Sequence, residues 1–175
     1  VNCNVYEGLL KYSEDSTDPQ PCLAESWTVS EDGLSYTFAL QQGVKFHDGT
    51  DFNAEAVKVN FDRLLPGNAT EDMPYAEFVF GMVDSVEVVD EYTVKVNLTE
   101  VCTPFLNNLC MPMAAPIVSP TALEASGGNV TENPVGTGPF KFVEWAKGEN
   151  VIIERNDAYW GEPAKVQNVI YKIIP

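Results

Sequence analysis

The sequence is poor in positive charge. Ten Lys and Arg stand against 26 Asp and Glu, a formal net charge of −16 over 175 residues. Phosphate backbones are held by clustered Lys and Arg, and no such cluster exists here, which excludes nucleic acid as a partner. The negative balance first of all keeps a protein soluble. Long apolar runs are also missing. The longest stretches are a handful of residues, as in Met113–Val118, far short of what a bilayer-spanning helix needs. Histidine occurs once, at His47, and there is no Gly-x-Ser-x-Gly elbow for it to serve. His47 is therefore read as an exposed turn residue. The four cysteines (Cys3, Cys22, Cys102, Cys110) contain no Cys-x-x-Cys pair, so a thiolate metal centre is not expected.

An even number of cysteines suits an oxidising compartment, and four allow three pairings. A Cys3–Cys22 bond would close a short loop, worth about 3 kcal/mol in the chain-entropy picture. Cys102 and Cys110 are harder to join. Eight residues of helix would hold them about 12 Å apart, whereas a disulfide needs Cα atoms within about 7 Å.

What is present is a 45% hydrophobic, 11% aromatic chain that can fill a core. Val5–Leu10 is an apolar segment that ends in a polar loop, Ser13–Gln20. Trp27–Val29, Asp32-Gly33 and the alternation Leu34, Tyr36, Phe38, Leu40 predict a hairpin with a tight two-residue turn. Val44–Phe46 reads as a short strand leading into a turn at His47-Asp48-Gly49. A helix is expected over 54–65, capped by Asn53, with Ala54, Val57, Phe61 and Leu64 at helical spacing and Lys58 and Asp62 facing water. Residues 68–74 read as a loop. A second hairpin spans Val86 to Leu98 about Asp90-Glu91, and Pro104 opens a short helix to Leu109. Ala114–Val118 reads as a buried strand, and Ser119-Pro120 opens a helix that stops at Gly127-Gly128. After the loop Asn133–Pro139 come a third hairpin (Phe140–Trp145, Val151–Glu154), a loop holding Tyr159 and Trp160, and a last apolar strand, Val169–Ile174. The fold class is mixed α+β, built largely of hairpins. A strand as apolar as the last is normally covered on both faces, so the chain is expected to be cut from something longer.

Few residues suggest chemistry. Twenty-six acids cannot avoid one another, yet none stands out as the pair a carboxylate-dependent glycan hydrolase requires. Gly136-Thr137-Gly138 looks like a phosphate loop but leads into a strand, where a phosphate loop opens into a helix. The sequons at Asn68, Asn97 and Asn129 are what 13 asparagines produce by chance. Leu109-Cys110-Met111-Pro112-Met113 is sulfur-rich and serves either as the lining of a tolerant apolar pocket or as plain core. Met73-Pro74-Tyr75 puts an aromatic at a loop tip, either a ligand platform or a cap over the core.

Val5-Tyr6-Glu7-Gly8-Leu9-Leu10, Cys22-Leu23-Ala24-Glu25-Ser26-Trp27 and Asp32-Gly33-Leu34-Ser35-Tyr36-Thr37-Phe38 together resemble the family 5 extracellular solute-binding proteins. These are the peptide, dipeptide and nickel receptors of ABC importers. Val44-Lys45-Phe46-His47-Asp48-Gly49 with Phe52, Ala54, Glu55, Val57 and Phe61 continues the likeness. So do Asn133-Pro134-Val135-Gly136-Thr137-Gly138-Pro139-Phe140 and Glu154-Arg155-Asn156-Asp157-Ala158-Tyr159-Trp160-Gly161. The resemblance implies the N-terminal lobe of a type II-like periplasmic-binding-protein fold. Residues 1–20 and 112–175 would form its main domain and 21–111 an inserted hairpin-rich subdomain, with the second ligand-binding lobe absent from this chain. It further implies a monomeric extracytoplasmic receptor, periplasmic or a cell-surface lipoprotein, that is not an enzyme and needs no cofactor. Such a receptor captures a short peptide or similar small solute and delivers it to the importer's permease subunits.

By motif position the ligand would meet Met111, Met113, Ala114, Met73 and Tyr75. Nickel-binding relatives tend to carry an arginine at the position of Met113. Methionine cannot donate those hydrogen bonds, which favours a peptide over a nickel chelate or other metallophore. Cys22 stands where the family often has glycine, hinting at a disulfide with Cys3.

Overall fold

The computed structural model describes residues 1–71 and 73–174. The chain divides into two compact units, and neither is continuous. Unit 1 is Val1–Tyr6, Gly43–Phe52 and Val118–Pro175; unit 2 is Glu7–Gln42 and Asn53–Ile117. These limits differ from the 1–20/112–175 and 21–111 division expected from resemblance, because the Gly43–Phe52 arm leaves unit 2 after one strand and re-enters it at a helix.

Unit 2 is built on a four-stranded antiparallel sheet ordered β3-β4-β6-β5. Its strands are β3 (Ala24–Val29), β4 (Ser35–Leu40), β5 (Val83–Asp90) and β6 (Thr93–Leu98). Alternation decides the faces. The row Tyr36, Val96, Val86 points into the core, and the row Thr28, Thr37, Lys95, Glu87 points away from it. The β3–β4 connection is a five-residue loop, longer than the expected two-residue turn. Ser30 Oγ and Asp32 Oδ1 accept from the amides of Ser35 and Leu34 and hold it, while Gly33 takes φ +70°.

Two helices serve the core side. In α2 (Ala54–Asp62), Asn53 Oδ1 accepts from the Ala56 amide at 3.0 Å. Its Lys58 Nζ reaches both Asp62 (2.7 Å) and the Val86 carbonyl (2.9 Å). α2 stops at Asp62, before the expected Leu65. α3 (Ala76–Phe80) was not expected, and its Phe80 ring meets Phe61 of α2 edge-on at 4.9 Å. A small hairpin of β1 (Leu10–Tyr12) and β2 (Pro19–Pro21) occupies part of the stretch read as loop. α4 (Phe105–Leu109) packs against β1.

Unit 1 holds the sheet β7-β8-β9, made of β7 (Phe140–Ala146), β8 (Asn150–Arg155) and β9 (Asn168–Lys172). Its inner row Phe142, Ile153, Val169 lies on the side of a core made by Val5, Tyr6, Val118, Leu123, Phe140 and Ile153. α1 (Asn2–Val5) and α5 (Pro120–Ala125) supply the helical part of that core. Asn4 Nδ2 donates to the Tyr171 hydroxyl at 2.8 Å. On the other face of β9, Ile170 is 57% exposed. Two expected strands are not strands. Val44–Phe46 contributes only the isolated Lys45–Asp51 bridge, and Ala114–Val118 only the Glu7–Ile117 bridge. Asn97, one of the sequon asparagines, donates within unit 2 to Ser85 Oγ and Glu87.

Candidate functional site

Two stretches of unit 2 carry the candidate ligand-binding residues, and the helices beside them touch. α4 is pinned by aromatic and polar contacts. The Phe105 ring lies 4.9 Å from Tyr36, the Tyr12 hydroxyl donates to the Asn107 carbonyl at 3.0 Å, and Asn107 Nδ2 donates to the Thr17 carbonyl at 2.7 Å. Beyond Leu109 the chain turns at once, with the Met111 amide donating to Asn108 and the Ala114 amide to Met111. The turn puts Met113 outward at 55% exposure, leaves Met111 half-buried and buries Ala114. Ala114 thus packs inside unit 2, and its methyl has no free face to offer. The Glu7-Gly8 backbone passes close by: a Cβ on Gly8 would lie 3.3 Å from the Leu109 carbonyl and 3.4 Å from that of Ala115.

The other stretch leads into α3. The Ala76 amide donates to Met73 and the Val79 amide to Tyr75, leaving Met73 half-buried and Tyr75 exposed. Phe78, on α3 itself, is 60% exposed. It belonged to no motif, and the continuous apolar run Phe78-Val79-Phe80 does not mark which of the three stays outside. Thioether, phenol and phenyl groups offer dispersion contacts to varied shapes.

All four cysteines are free thiols in the structure. Cys3 is exposed on α1, whereas Cys22 is buried with its Sγ 3.9 Å from Glu7 Oε1. Burial, and then the Glu7 carboxylate, push the Cys22 thiol up to about 12. Burial likewise pushes Cys110 up to about 11. Cys102 is raised by burial and by Glu100. Among the described residues no group of three or more His, Cys, Asp and Glu could hold a metal ion.

His47 in unit 1 is not the exposed turn residue expected. It is half-buried, and both ring nitrogens are engaged. Nε2 lies 2.9 Å from the Gly138 carbonyl, and the Gly136 amide donates to Nδ1 at 3.4 Å. A carbonyl accepts and an amide donates, so the ring is neutral with its proton on Nε2. Burial lowers its pKa below the ordinary 6.5; the Gly138 carbonyl and Asp48 oppose this, and Lys141 adds to it. The neighbouring Asp48 accepts from the Thr50 amide and hydroxyl and from Ser119 Oγ. Burial alone would raise its pKa, but these hydrogen bonds outweigh it and hold the carboxyl below 3.8. Ser119 Oγ in turn accepts from the Ala122 amide and caps α5. Gly136 and Gly138 are glycines for reasons of space. A Cβ on Gly136 would fall 2.1 Å from the Val5 carbonyl oxygen, and one on Gly138 2.6 Å from that of Asn4.

The family profile described as "Bacterial extracellular solute-binding proteins, family 5 Middle" matches residues 18–175. Among curated proteins, the glutathione-binding protein GsiB of Pectobacterium atrosepticum is 44% identical over 156 residues, 89% of this chain and 29% of that protein. GsiB of Salmonella typhi is 41% identical over the same span and shares. The chain therefore covers under a third of the length of these relatives. Among solved structures, the periplasmic binding protein DppA from Helicobacter pylori in complex with the peptide STSA superposes with a TM-score of 0.85 at 34% identity. That match covers 98% of this chain and 37% of DppA. NikA from Brucella suis in complex with Fe(III)-EDTA gives 0.86 at 35% identity, over 99% of this chain and 34% of NikA.

Proposed function

This chain belongs to the bacterial extracellular solute-binding proteins of family 5, and from that membership we propose that it is one part of a receptor that captures a short peptide for an ABC importer. The receptor grips its ligand between this part and a second lobe outside the chain. Hinge closure with contacts on both sides stabilises the liganded state, and the loaded receptor is read by the permease. No bond is made or broken in such a cycle. It works as a monomer outside the cytoplasmic membrane, free in the periplasm or held by a lipid anchor.

The observation that carries the peptide reading is the 44% identity to a glutathione-binding protein, glutathione being itself a peptide. It is joined by the likeness to a structure holding the peptide STSA. The exposed Met113 and Tyr75 fit a site that meets side chains by dispersion while backbone groups fix the ligand. Chelated metal is the lesser reading, since a thioether at Met113 has no donor for a chelator's carboxylate.

Calorimetry decides. The full-length protein that contains this chain should bind glutathione or a di- to tetrapeptide more tightly than a nickel or iron chelate. The 175 residues alone, holding one side of the grip, should bind at least about 100-fold more weakly, a loss of about 3 kcal/mol. A full-length protein that ignores every peptide and takes the chelate overturns the peptide reading.

A further inference from the structure

Within unit 1, the Gly43–Phe52 arm meets the Gly136–Gly138 segment through its tip. The His47 amide donates to the Gly136 carbonyl at 2.9 Å, and the ring makes its two contacts to the same Gly136–Gly138 segment. That segment is tied onward, with the Gly138 amide donating to Val5 at 3.0 Å and Asn156 Nδ2 donating to the Gly138 carbonyl at 3.2 Å. We propose that His47 is an acid-operated latch: the neutral imidazole clamps the Gly136–Gly138 segment, and taking up a proton at Nδ1 releases it.

The reason is donor–acceptor matching. Nδ1 must offer a lone pair to the Gly136 amide, and a proton there sets one N–H against another. The Nε2 bond to Gly138 would survive protonation, so the two ring contacts respond differently. Two charges face the ring. Lys141 on β7 opposes protonation, and Asp48 on the ring's own turn favours it. On the α5 side stands the Ser119 hydroxyl, which is uncharged and already bonded to Asp48. On the α1 side the backbone carbonyls of Asn4 and Val5 lie against the segment. The open segment exposes a ring with the ordinary affinity for protons, while the closed one holds a ring of lower affinity. Acid therefore favours opening, starting near pH 6.5 and continuing down to the pKa of the closed form.

Amide hydrogen exchange on the 175-residue chain tests the latch. After correction for intrinsic rates, protection of the Gly136 and His47 amides should fall about tenfold per pH unit below about 6.5. The Phe38 amide in β4 should not follow it. In His47→Gln, whose amide keeps the donor to Gly138 but does not titrate, the slope should vanish. Nitrogen shifts of the wild-type ring at pH 7.5 should show Nε2 protonated and Nδ1 bare, a readout that stands even if the variant fails to fold. Protection independent of pH, an equal slope in His47→Gln, or a proton on Nδ1 at pH 7.5 overturns the proposal.

Discussion

The His47 ring touches Gly136 and Gly138, while 89 positions separate His47 from Gly136 in sequence. Gly136-Thr137-Gly138 was conspicuous in the sequence, but its reason was not. Neither outer glycine takes a positive φ; each is needed because backbone from α1 lies where a Cβ would stand. The thiols follow the same logic of surroundings over identity. All four cysteines look alike in the sequence, yet only Cys3 is exposed, and burial pushes Cys22 and Cys110 up to about 12 and about 11. Since the thiolate is the reactive form, a disulfide-exchange reagent at pH 8 should titrate one thiol in the native chain, lost in Cys3→Ser, and all four in guanidinium. Fast native reaction of a second thiol would contradict the buried placement. Candidate ligand residues were legible by type but not by direction. The family resemblance marked Ala114 and Tyr75 alike, whereas the structure buries the first and exposes the second, and Phe78 protrudes without any motif.

Among the elements, hairpins were the most readable. The alternation in β4 and β6 and the turns at Gly33 and Gly148 (φ +83°) place β3–β4, β5–β6 and β7–β8 where the sequence suggests. Short elements were not. α1 and α3 have four and five residues, too few for a 3.6-residue period to show itself. The strand Pro19-Gln20-Pro21 lacks alternation and carries two prolines, which only a peripheral three-residue pairing tolerates. α5 was readable at both ends, from Ser119-Pro120 to Gly127-Gly128. Ser119 does two jobs there, capping the helix and donating to Asp48. Ser119→Ala should lower stability by about 2–3 kcal/mol in urea unfolding, combining a lost cap with a lost hydrogen bond to a charged group. A change below about 0.5 kcal/mol would mean that neither bond supports α5.

At the scale of the whole chain, charge and connectivity dominate. Only four ion pairs occur among the described residues: Lys45–Asp51, Lys58–Asp62, Lys147–Glu132 and Arg155–Asp157. Lys45–Asp51, Lys147–Glu132 and Arg155–Asp157 each have a well-exposed partner, and such pairs are worth about 0–1 kcal/mol, while Lys58–Asp62 is half-buried on α2. The excess of 16 negative charges is therefore left to repel itself. Raising salt from about 0.01 M to about 0.15 M shortens the screening length from about 30 Å to about 8 Å. The thermal midpoint should rise with it by on the order of 3 °C, read by circular dichroism; a fall would show that the ion pairs outweigh the repulsion. Connectivity has its own consequence. The core around Val5 and Tyr6 is closed by Phe140 and Ile153, so during synthesis the α1 segment meets those core partners only after the whole of unit 2 has been made. Unit 2 ends at Ile117 and can form first, so within this stretch the enclosed unit is ready before the one whose segments flank it.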